Sequence, residues 1–301
     1  MQHKVKVTIG FCVKNNEATV KEAIDSVVNQ DFPHKLMELV VVDGNSKDKT
    51  MSIVKKALLN TDIKTKILFE NKGLGVARQM VVDNGTGDYI IWVDGDMVLQ
   101  RDHVRKQVEF MELNPTVGIA VGKFEMYPEE DLIATLDSIE WMAMEIMYGQ
   151  KASSVPVLHA AGGSTYRVSA LREVGGFDCC IKGALEDWDT QYRIKERGWS
   201  TLVTTARFYS RRKETWLALW NQNLWYGYGG HYIFHKHKKG VAAKTPLEPI
   251  ECSIIAYKLT RRKVAFLLPI QYVFKKIAWL FGFFKAHFDG YGHSVARVHP
   301  K

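Results

Sequence analysis

The stretch at residues 88–98, reading DYIIWVDGDMV, constrains the fold more than any other part of the chain. Its run of β-branched and aromatic residues follows a turn signal, NGTG, and is typical of a buried strand. The strand ends in Asp94-Gly95-Asp96, and Gly95 leaves room for another group to approach the backbone. Open α/β sheets bind ligands at the carboxyl ends of their strands, and paired carboxylates suit Mg²⁺ or Mn²⁺. The motif therefore indicates either a metal site that reaches a phosphate or a polar turn before the next helix.

Apolar strands alternate with amphipathic helices through the first third of the chain. Strands are predicted at residues 5–13, 37–42 and 63–69, before the strand that ends at Asp94. Helices are predicted after each of the first three, with Asn15-Asn16 capping the first. This order predicts an α/β fold with a mainly parallel, doubly wound, Rossmann-like sheet.

The pattern becomes less regular after residue 100. Helices are predicted at residues 103–113, 132–148 and 185–197, and strands at 117–124 and 200–204. The last of these helices carries Glu186, Asp187 and Asp189 in its first turn, where acidic residues complement the helix dipole. All three carboxylates can therefore be interpreted as structural residues that stabilise this helix.

Charge and cysteine content narrow the class of protein. The 301 residues carry a net charge of +8, which favours anionic partners such as nucleotide phosphates, nucleic acid or an acidic membrane surface. The four cysteines have neither disulfide nor zinc-site spacing, which favours a reducing cytosol. The first residues, MQHKVKVTIG, begin a strand rather than a signal peptide.

The composition changes after residue 216, where aromatic residues crowd together and a basic, histidine-containing stretch follows. His231, His235 and His237 could ligate a metal or belong to a basic interfacial segment. Two apolar runs, 264–274 and 277–284, are separated by Lys275-Lys276, and each is too short to cross a bilayer. They predict two short helices lying in the plane of a membrane, or a helical cap packed on the preceding α/β domain.

Five motifs, in this order, resemble the family-2 glycosyltransferases, which are inverting enzymes of the GT-A fold that use nucleotide-diphosphate sugars. The motifs are the first strand and helix, VVVDGNSKDKT (40–50), NKGLGVARQ (71–79), VDGDM (93–97), and GGSTYRVSALREVGGFD (162–178) followed by EDWDTQYRIKERGW (186–199). The first strand departs from the family in lacking a frequent proline, with Gly10 and Cys12 present instead. The resemblance covers about residues 5–215. It implies a catalytic domain at 1–215, and the change in composition predicts a membrane-associating helical region at 216–301.

The resemblance also implies roles for individual residues. Asp187 is the expected general base, Glu186 orients the acceptor or the base, and Asp94 and Asp96 hold Mn²⁺ or Mg²⁺. The implied nucleotide-sugar site comprises Phe11, Val13, Asn15, Glu17, Asp43, Lys72, Gly73, Arg78, Asp94, Gly95 and Asp96. Lys72 and Arg78 fit phosphate contacts, and a solvated face is the alternative for either. Gly162, Gly163, Arg211 and Arg212 fall on the acceptor or diphosphate side, and the two arginines fit a membrane-facing pair as well.

The implied partners are a UDP- or GDP-linked sugar, a polysaccharide or lipid-linked acceptor, and an anionic membrane surface at its cytoplasmic face, without nucleic acid. Two alternatives stay open. A phosphatase of the haloacid-dehalogenase type also carries Asp-x-Asp after an apolar strand, although usually after the first strand of its sheet. A glycosyltransferase-like fold can also be retained as a non-catalytic membrane scaffold.

Overall fold

The computed structural model describes residues 7–127, 131–149, 161–237 and 248–295. Over these residues the protein is a mixed α/β structure with one eight-stranded sheet. The strands are β1 (Val7–Val13), β2 (Met37–Asp43), β3 (Lys64–Phe69), β4 (Tyr89–Asp94), β5 (Met97–Leu99), β6 (Val117–Glu125), β7 (Ser164–Arg167) and β8 (Ser200–Ser210). The helices are α1 (Val20–Val28), α2 (Thr50–Ala57), α3 (Leu74–Asn84), α4 (His103–Leu113), α5 (Leu132–Gly149), α6 (Val168–Glu173), α7 (Glu186–Glu196), α8 (Trp216–His237), α9 (Glu248–Thr260) and α10 (Leu268–Phe288).

The first half of the sheet is parallel, as predicted, with the order β3-β2-β1-β4. The strands β1 and β2 are buried along their whole length, which explains their nearly continuous apolar sequences. The register pairs Val13 of β1 with Asp43 and Cys12 with Asp94. Asp43 and Asp94 therefore lie on either side of the end of β1, at one edge of the sheet.

The second half of the sheet is mixed, a detail that the prediction of a mainly parallel sheet did not include. The strand β7 runs antiparallel to both β4 and β6, β8 is parallel to β6, and β5 is antiparallel to β8. β5 and β7 have three and four residues, too few for a readable periodicity. β8 continues six residues beyond the predicted strand, because Ala206 and Phe208 alternate with exposed neighbours.

Trp92 organises the core beneath the acidic edge. Its ring meets Tyr166 and Phe177 edge-on, with centroids 6.2 and 5.2 Å away. On the neighbouring strand it lies against Gly10, where an added Cβ would be 2.7 Å from the indole ring. The Trp92 ring can therefore pack here only because residue 10 is a glycine.

The chain divides into two compact units. The first comprises Met1–Glu125, His159–Cys180 and Glu186–Arg211, and the second Met126–Leu158, Ile181–Leu185 and Arg212–Lys301. The second unit includes α5, which the sequence had placed in the catalytic domain. Leu136 and Ile139 of α5 share an apolar core with residues of α9 and α10.

The last helix, α10, is continuous, which corrects the prediction of two short helices. Lys275, expected to interrupt it, lies 2.7 Å from Glu140 of α5 and also pairs with Asp137. Lys276 lies over the Trp279 ring, with its Nζ 4.5 Å from the centroid. Pro269 occupies the first turn, where a missing N–H removes no helical hydrogen bond.

The segment Lys263–Phe288 has the length and apolar composition of a membrane-crossing helix. Core helices of soluble proteins can meet the same two criteria, so length and composition alone are weak evidence. Only 22% of its most apolar window is buried, unlike a core helix.

Candidate active site

The acidic pair lies where the sequence predicted, at the carboxyl end of β4. Asp94 is the last residue of the strand, and Asp96 lies one residue before β5. Between them, a Cβ on Gly95 would come within 2.7 Å of the Asn16 side chain, so the predicted close approach to this glycine is confirmed. Gly95 also accepts a hydrogen bond from the Thr19 hydroxyl at 2.7 Å. These contacts fix the β4–β5 turn against the loop that follows β1.

Arg78 of α3 is buried among three carboxylates. Its guanidinium nitrogens lie 3.2 Å from Glu186, 3.5 Å from Asp94 and 3.8 Å from Asp187. The guanidinium carbon lies 5.6 Å from the Trp92 ring centroid, a cation–π distance. Arg78 is therefore not on a solvated face. It holds the carboxylates of β4 and α7 together.

The three carboxylates share one cation, and their pKa values reflect this imbalance. Burial raises the pKa of Asp94 to about 6, with Asp96 and Asp187 adding repulsion and Arg78 opposing the rise. Burial likewise raises the pKa of Glu186 to about 8, against the attraction of Arg78. Burial lowers the pKa of Arg78, but Glu186 and Asp94 more than reverse this, and its pKa lies well above the ordinary value. Excess negative charge at this edge fits a divalent cation with oxygen ligands.

Asp187 and Glu186 differ in exposure although they are adjacent in the first turn of α7. The Glu186 side chain is 2% exposed and that of Asp187 is 19% exposed. Asp187 accepts hydrogen bonds from the Ala161 N–H at 3.0 Å and from the Trp188 N–H at 2.8 Å. Its carboxylate is thus held in place by the backbone. Asp189, by contrast, is buried against Arg193 at 2.7 Å and has a structural role.

Gly162 and Gly163 line the same edge. A Cβ on Gly162 would lie 2.8 Å from an Asp94 carboxylate oxygen and 2.3 Å from the Met97 methyl group. This glycine thereby leaves the Asp94 carboxylate uncovered, as a metal ligand requires. Gly163 has a φ of +72°, and it links β4 to β6 by donating to the Trp92 carbonyl and accepting from the Gly122 N–H.

Asp43 and Val13 lie together at the ends of β2 and β1. The Asp43 carboxylate accepts hydrogen bonds from the Ser46 hydroxyl at 2.5 Å and from the Ser46 N–H at 3.1 Å. The Val13 carbonyl accepts from the Gly44 N–H at 2.8 Å. Phe11 has no exposed surface and belongs to the core of β1. Its side chain supports the strand, and its predicted role in the nucleoside site stays a prediction.

Asn15 and Glu17 connect two loops at the sheet edge instead of beginning a helix. Asn15 has a φ of +51°, its N–H donates to the Ser46 hydroxyl, and its side chain accepts from the Lys47 N–H. Glu17 accepts from the Lys49 N–H at 2.9 Å. Because α1 begins only at Val20, the predicted capping role of Asn15-Asn16 is wrong. The two side chains shape the loop that follows Asp43.

Lys72 and Gly73 precede α3 and share one partner. Both backbone N–H groups donate to the Glu70 carboxylate, at 2.5 and 2.8 Å, and Gly73 has a φ of +132°. The Lys72 side chain is exposed. An acidic side chain therefore occupies the amino terminus of α3.

Arg211 belongs to the first compact unit and Arg212 to the second. The Arg211 N–H donates to the Asp96 carbonyl at 2.9 Å, and its guanidinium pairs with Glu22 at 3.0 Å. Arg212 stacks over Trp141 at 5.0 Å and lies 3.8 Å from Asp137, both on α5. Only Arg211 is therefore bound to the acidic edge.

The sequence analysis assigned no role at this edge to three side chains that organise it, namely Asn16, Ser46 and Glu70. Asn16 was predicted to cap a helix and Ser46 lies inside the motif at 40–50, and the signal for both was a turn-forming residue type. Glu70 has no sequence signal, because its contacts depend on how β3 ends beside β2.

The amino-acid sequence is also similar to those of known proteins. Residues 8–175, more than half of the chain, match the model of "Glycosyl transferase family 2". The chain belongs to this family. It is 23% identical over 230 residues to poly-beta-1,6-N-acetyl-D-glucosamine synthase of Staphylococcus epidermidis, covering 73% of this chain and 53% of that protein. It is 24% identical over 248 residues to "Probable glycosyltransferase YdaM" of Bacillus subtilis, covering 78% and 58%. The chain thus spans about half the length of these curated relatives.

A solved structure shows the same fold. The mannosyltransferase PcManGT from Pyrobaculum calidifontis, in complex with GDP-Man and Mn²⁺, matches with a TM-score of 0.66 at 19% identity. The match covers 96% of this family-2 chain and 88% of that one. The predicted family and the GT-A fold are confirmed.

Proposed function

We propose that this family-2 protein is a metal-dependent, inverting glycosyltransferase that moves a sugar from a nucleotide-diphosphate sugar to an acceptor hydroxyl or phosphate. One observation carries the proposal. The guanidinium of Arg78 joins Asp94, on the donor side, to Glu186 and Asp187, on the acceptor side. A metal-binding carboxylate and a base are thereby held at one edge of one sheet.

The proposed reaction is a single displacement at the anomeric carbon. The acceptor oxygen forms the new bond to this carbon while the bond to the diphosphate oxygen breaks, and Asp187 takes the acceptor proton. The partly exposed Asp187 carboxylate suits this role, because both of its oxygens accept backbone hydrogen bonds that hold it in position. Glu186 is too buried to meet an acceptor and acts by positioning Arg78.

On the donor side, Asp94 and Asp96 are the expected ligands for Mn²⁺ or Mg²⁺, which would offset charge on the leaving diphosphate. Asp43 and the end of β1 at Val13 are the proposed nucleoside site, shaped by Asn15 and Glu17. The Mn²⁺ and GDP-Man in the PcManGT complex support such a donor, without deciding between UDP and GDP.

The catalytic assignment is tested by Asp187→Asn, which keeps the shape and removes proton acceptance. Turnover should fall at least about a hundredfold while donor affinity stays unchanged. Glu196→Gln, which neutralises an exposed carboxylate on the same helix, is the matched control and should retain turnover. An equal loss of donor affinity in Asp187→Asn would assign Asp187 to binding instead of proton transfer.

The metal assignment is tested by Asp96→Ala in donor-binding titrations with and without Mn²⁺. The variant should lose the metal-dependent part of donor binding. Asp25→Ala, which removes an exposed carboxylate paired with Lys21, should not. Donor binding and turnover that survive both Asp96→Ala and EDTA would refute the metal site.

The same measurements separate the alternative functions. A phosphatase would form a covalent aspartyl-phosphate, and both the family match and the three strands that precede β4 in the chain weigh against it. A non-catalytic scaffold would bind the donor without turnover in the wild-type protein.

The C-terminal helices are the proposed membrane-associating region. Apolar side chains that are more than 40% exposed recur every three or four residues along α10 and the turn before it. They are Phe266, Ile270, Val273, Ile277, Phe281, Phe284 and Phe288. This spacing places them on one face of the helix. Arg261, Arg262 and Lys263 precede this apolar face and suit anionic headgroups.

The expected location is the cytoplasmic face of the membrane, which agrees with four free cysteines. There, a lipid-linked or polysaccharide acceptor would be accessible. Phe281→Ser should reduce flotation with anionic liposomes. Phe69→Ser is matched to it, since both side chains are 60% exposed, and should have no effect. Equal flotation of the two variants and the wild type would refute a membrane-binding role for this face of α10.

A further inference from the structure

Four histidines come together in the second unit, outside everything assigned above. His231 and His235 lie one turn apart on α8, and His287 is the penultimate residue of α10. His293 follows in the turn after α10. Ligand atoms of His231, His235 and His293 all lie within 4.8 Å of one another. His237, which the sequence had grouped with the first two, is not in this set.

The backbone around Tyr291 determines which nitrogen of His231 faces the cluster. The Tyr291 carbonyl lies 2.6 Å from His231 Nδ1. Because a carbonyl only accepts, Nδ1 carries the ring proton, and Nε2 of the neutral ring presents a lone pair. A hydrogen bond of this kind to the second ring nitrogen is typical of metal-binding histidines.

Neutral histidines cannot turn both contacts of His287 into good hydrogen bonds at once. The Nδ1 atom of His287 lies 3.3 Å from Nε2 of His231 and 3.3 Å from Nε2 of His293. If His287 Nδ1 donates its one proton to one of these nitrogens, its contact with the other is not a full hydrogen bond. If it accepts from His293, it faces the His231 lone pair with its own. One of the two contacts therefore stays unfavourable in each arrangement.

The two nitrogen–nitrogen distances of His287 match those of a tetrahedral zinc site. Zinc binds imidazole at about 2.0–2.1 Å, so neighbouring nitrogens of a tetrahedral site are about 3.3–3.4 Å apart. Both contacts of His287 already have this length. His293 is exposed and His235 half-buried, so rotation of these two rings can close the remaining gap.

The turn that carries His293 is rigidly built. Tyr291 stacks on Tyr228 and Tyr232, with ring centroids 4.8 and 5.1 Å apart, and its hydroxyl accepts from the Lys182 N–H at 2.6 Å. Gly292 has a φ of +90° and approaches Tyr232 so closely that a Cβ would lie 3.1 Å from its Cα. The turn therefore holds His293 near the cluster before any ion binds.

From this geometry we infer that His231, His235, His287 and His293 form a binding site for a divalent transition metal such as Zn²⁺. Imidazole ligands favour zinc, copper, nickel or iron over Mg²⁺ and Mn²⁺, so this site is chemically distinct from the carboxylates of the proposed active site. The bound ion would fasten the end of α8 to the end of α10. Its role is structural, and it stands apart from the proposed sugar transfer.

The test uses the full chain, prepared without a polyhistidine tag and stripped of metal. Zn²⁺ is titrated in competition with a chromogenic chelator, and the absorption spectrum of the Co²⁺-substituted protein reports tetrahedral nitrogen ligands. Wild type should bind one Zn²⁺ at the cluster and show a raised melting temperature. Both His231→Ala and His293→Ala should weaken binding at least about a hundredfold.

Two variants act as controls. His237→Ala removes a half-buried histidine of the same helix and should bind Zn²⁺ like the wild type. Asp96→Ala should also keep this Zn²⁺ affinity, so that failure of the histidine site and failure of the active-site metal are distinguishable. His293 is exposed, so His293→Ala should fold even if His231→Ala does not. No Zn²⁺ binding by wild type, or equal affinity of His293→Ala and wild type, would overturn the inference.

Discussion

Replacing Arg78 by Met should destabilise the first compact unit more than any surface arginine replacement. Methionine keeps the length and apolar stem of the side chain but removes the charge shared by Asp94, Glu186 and Asp187. Removing one partner of a buried ion pair leaves uncompensated charge and costs about 3–5 kcal/mol. Above about pH 8, where Glu186 is mostly ionised, it dominates the cost because it is 2% exposed, whereas Asp94 is 34% exposed and partly screened by water.

The loss should be visible in thermal unfolding followed by circular dichroism. For a unit of this size, each kcal/mol shifts the melting temperature by about 2–4 °C, so the expected fall is about 6–20 °C. Arg105→Met is the matched control. It removes an ion pair with Asp31 of 3.0 Å, but that arginine is 41% exposed, and the expected cost is below about 1 kcal/mol.

The cost of Arg78→Met should also depend on pH. Burial raises the pKa of Asp94 to about 6 and that of Glu186 to about 8, so both are mostly protonated at about pH 5. A neutral partner gains little from the guanidinium, and the difference between variant and wild type should shrink from about pH 8 to about pH 5. Equal losses for Arg78→Met and Arg105→Met, or a pH-independent loss, would refute the electrostatic reasoning.

Three further predictions concern single side chains. In the wild type, folding raises the pKa of the Glu186 carboxyl, so the free energy of unfolding should fall as the pH rises from about 4.5 to about 8. Glu186→Gln removes this carboxyl, and urea titrations of the variant should show a smaller fall. Gly162→Ala should weaken Mn²⁺-dependent donor binding in calorimetry; adding Met97→Ala should restore melting temperature but not donor binding, because the new Cβ still covers Asp94. Lys275→Met should lower the melting temperature, since two buried carboxylates on α5 lose the ammonium group that they share; an unchanged value would show that α10 does not need this ion pair.

The sequence predicted the parallel half of the sheet well, and the physical reason is simple. Strands buried on both faces need continuous apolar runs, and β1, β2 and β4 have them. The position of the acidic residues was predicted from the same pattern, because the carboxyl ends of parallel strands meet at one edge of a sheet. Asp43 and Asp94 therefore lie where they were expected.

Features that depend on long-range pairing could not be predicted in this way. Strands β5 and β7 are too short to show a period, and their partners are distant in sequence. Lys275 looked like a helix interruption because its partners, Asp137 and Glu140, lie about 135 residues earlier in the chain. Arg78 was identified as a phosphate ligand or a solvated residue, since nothing local reveals the three carboxylates around it.

The carboxylate of Glu70 at the start of α3 has a consequence for the donor. In many doubly wound proteins, a helix amino terminus supplies backbone N–H groups to a phosphate. Here the N–H groups of Lys72 and Gly73 already donate to Glu70, and its negative charge repels a second anion. Under the proposed function, this end of α3 would then not balance the charge of the diphosphate. That charge would fall to the proposed metal ion, and activity would depend on the supply of that ion.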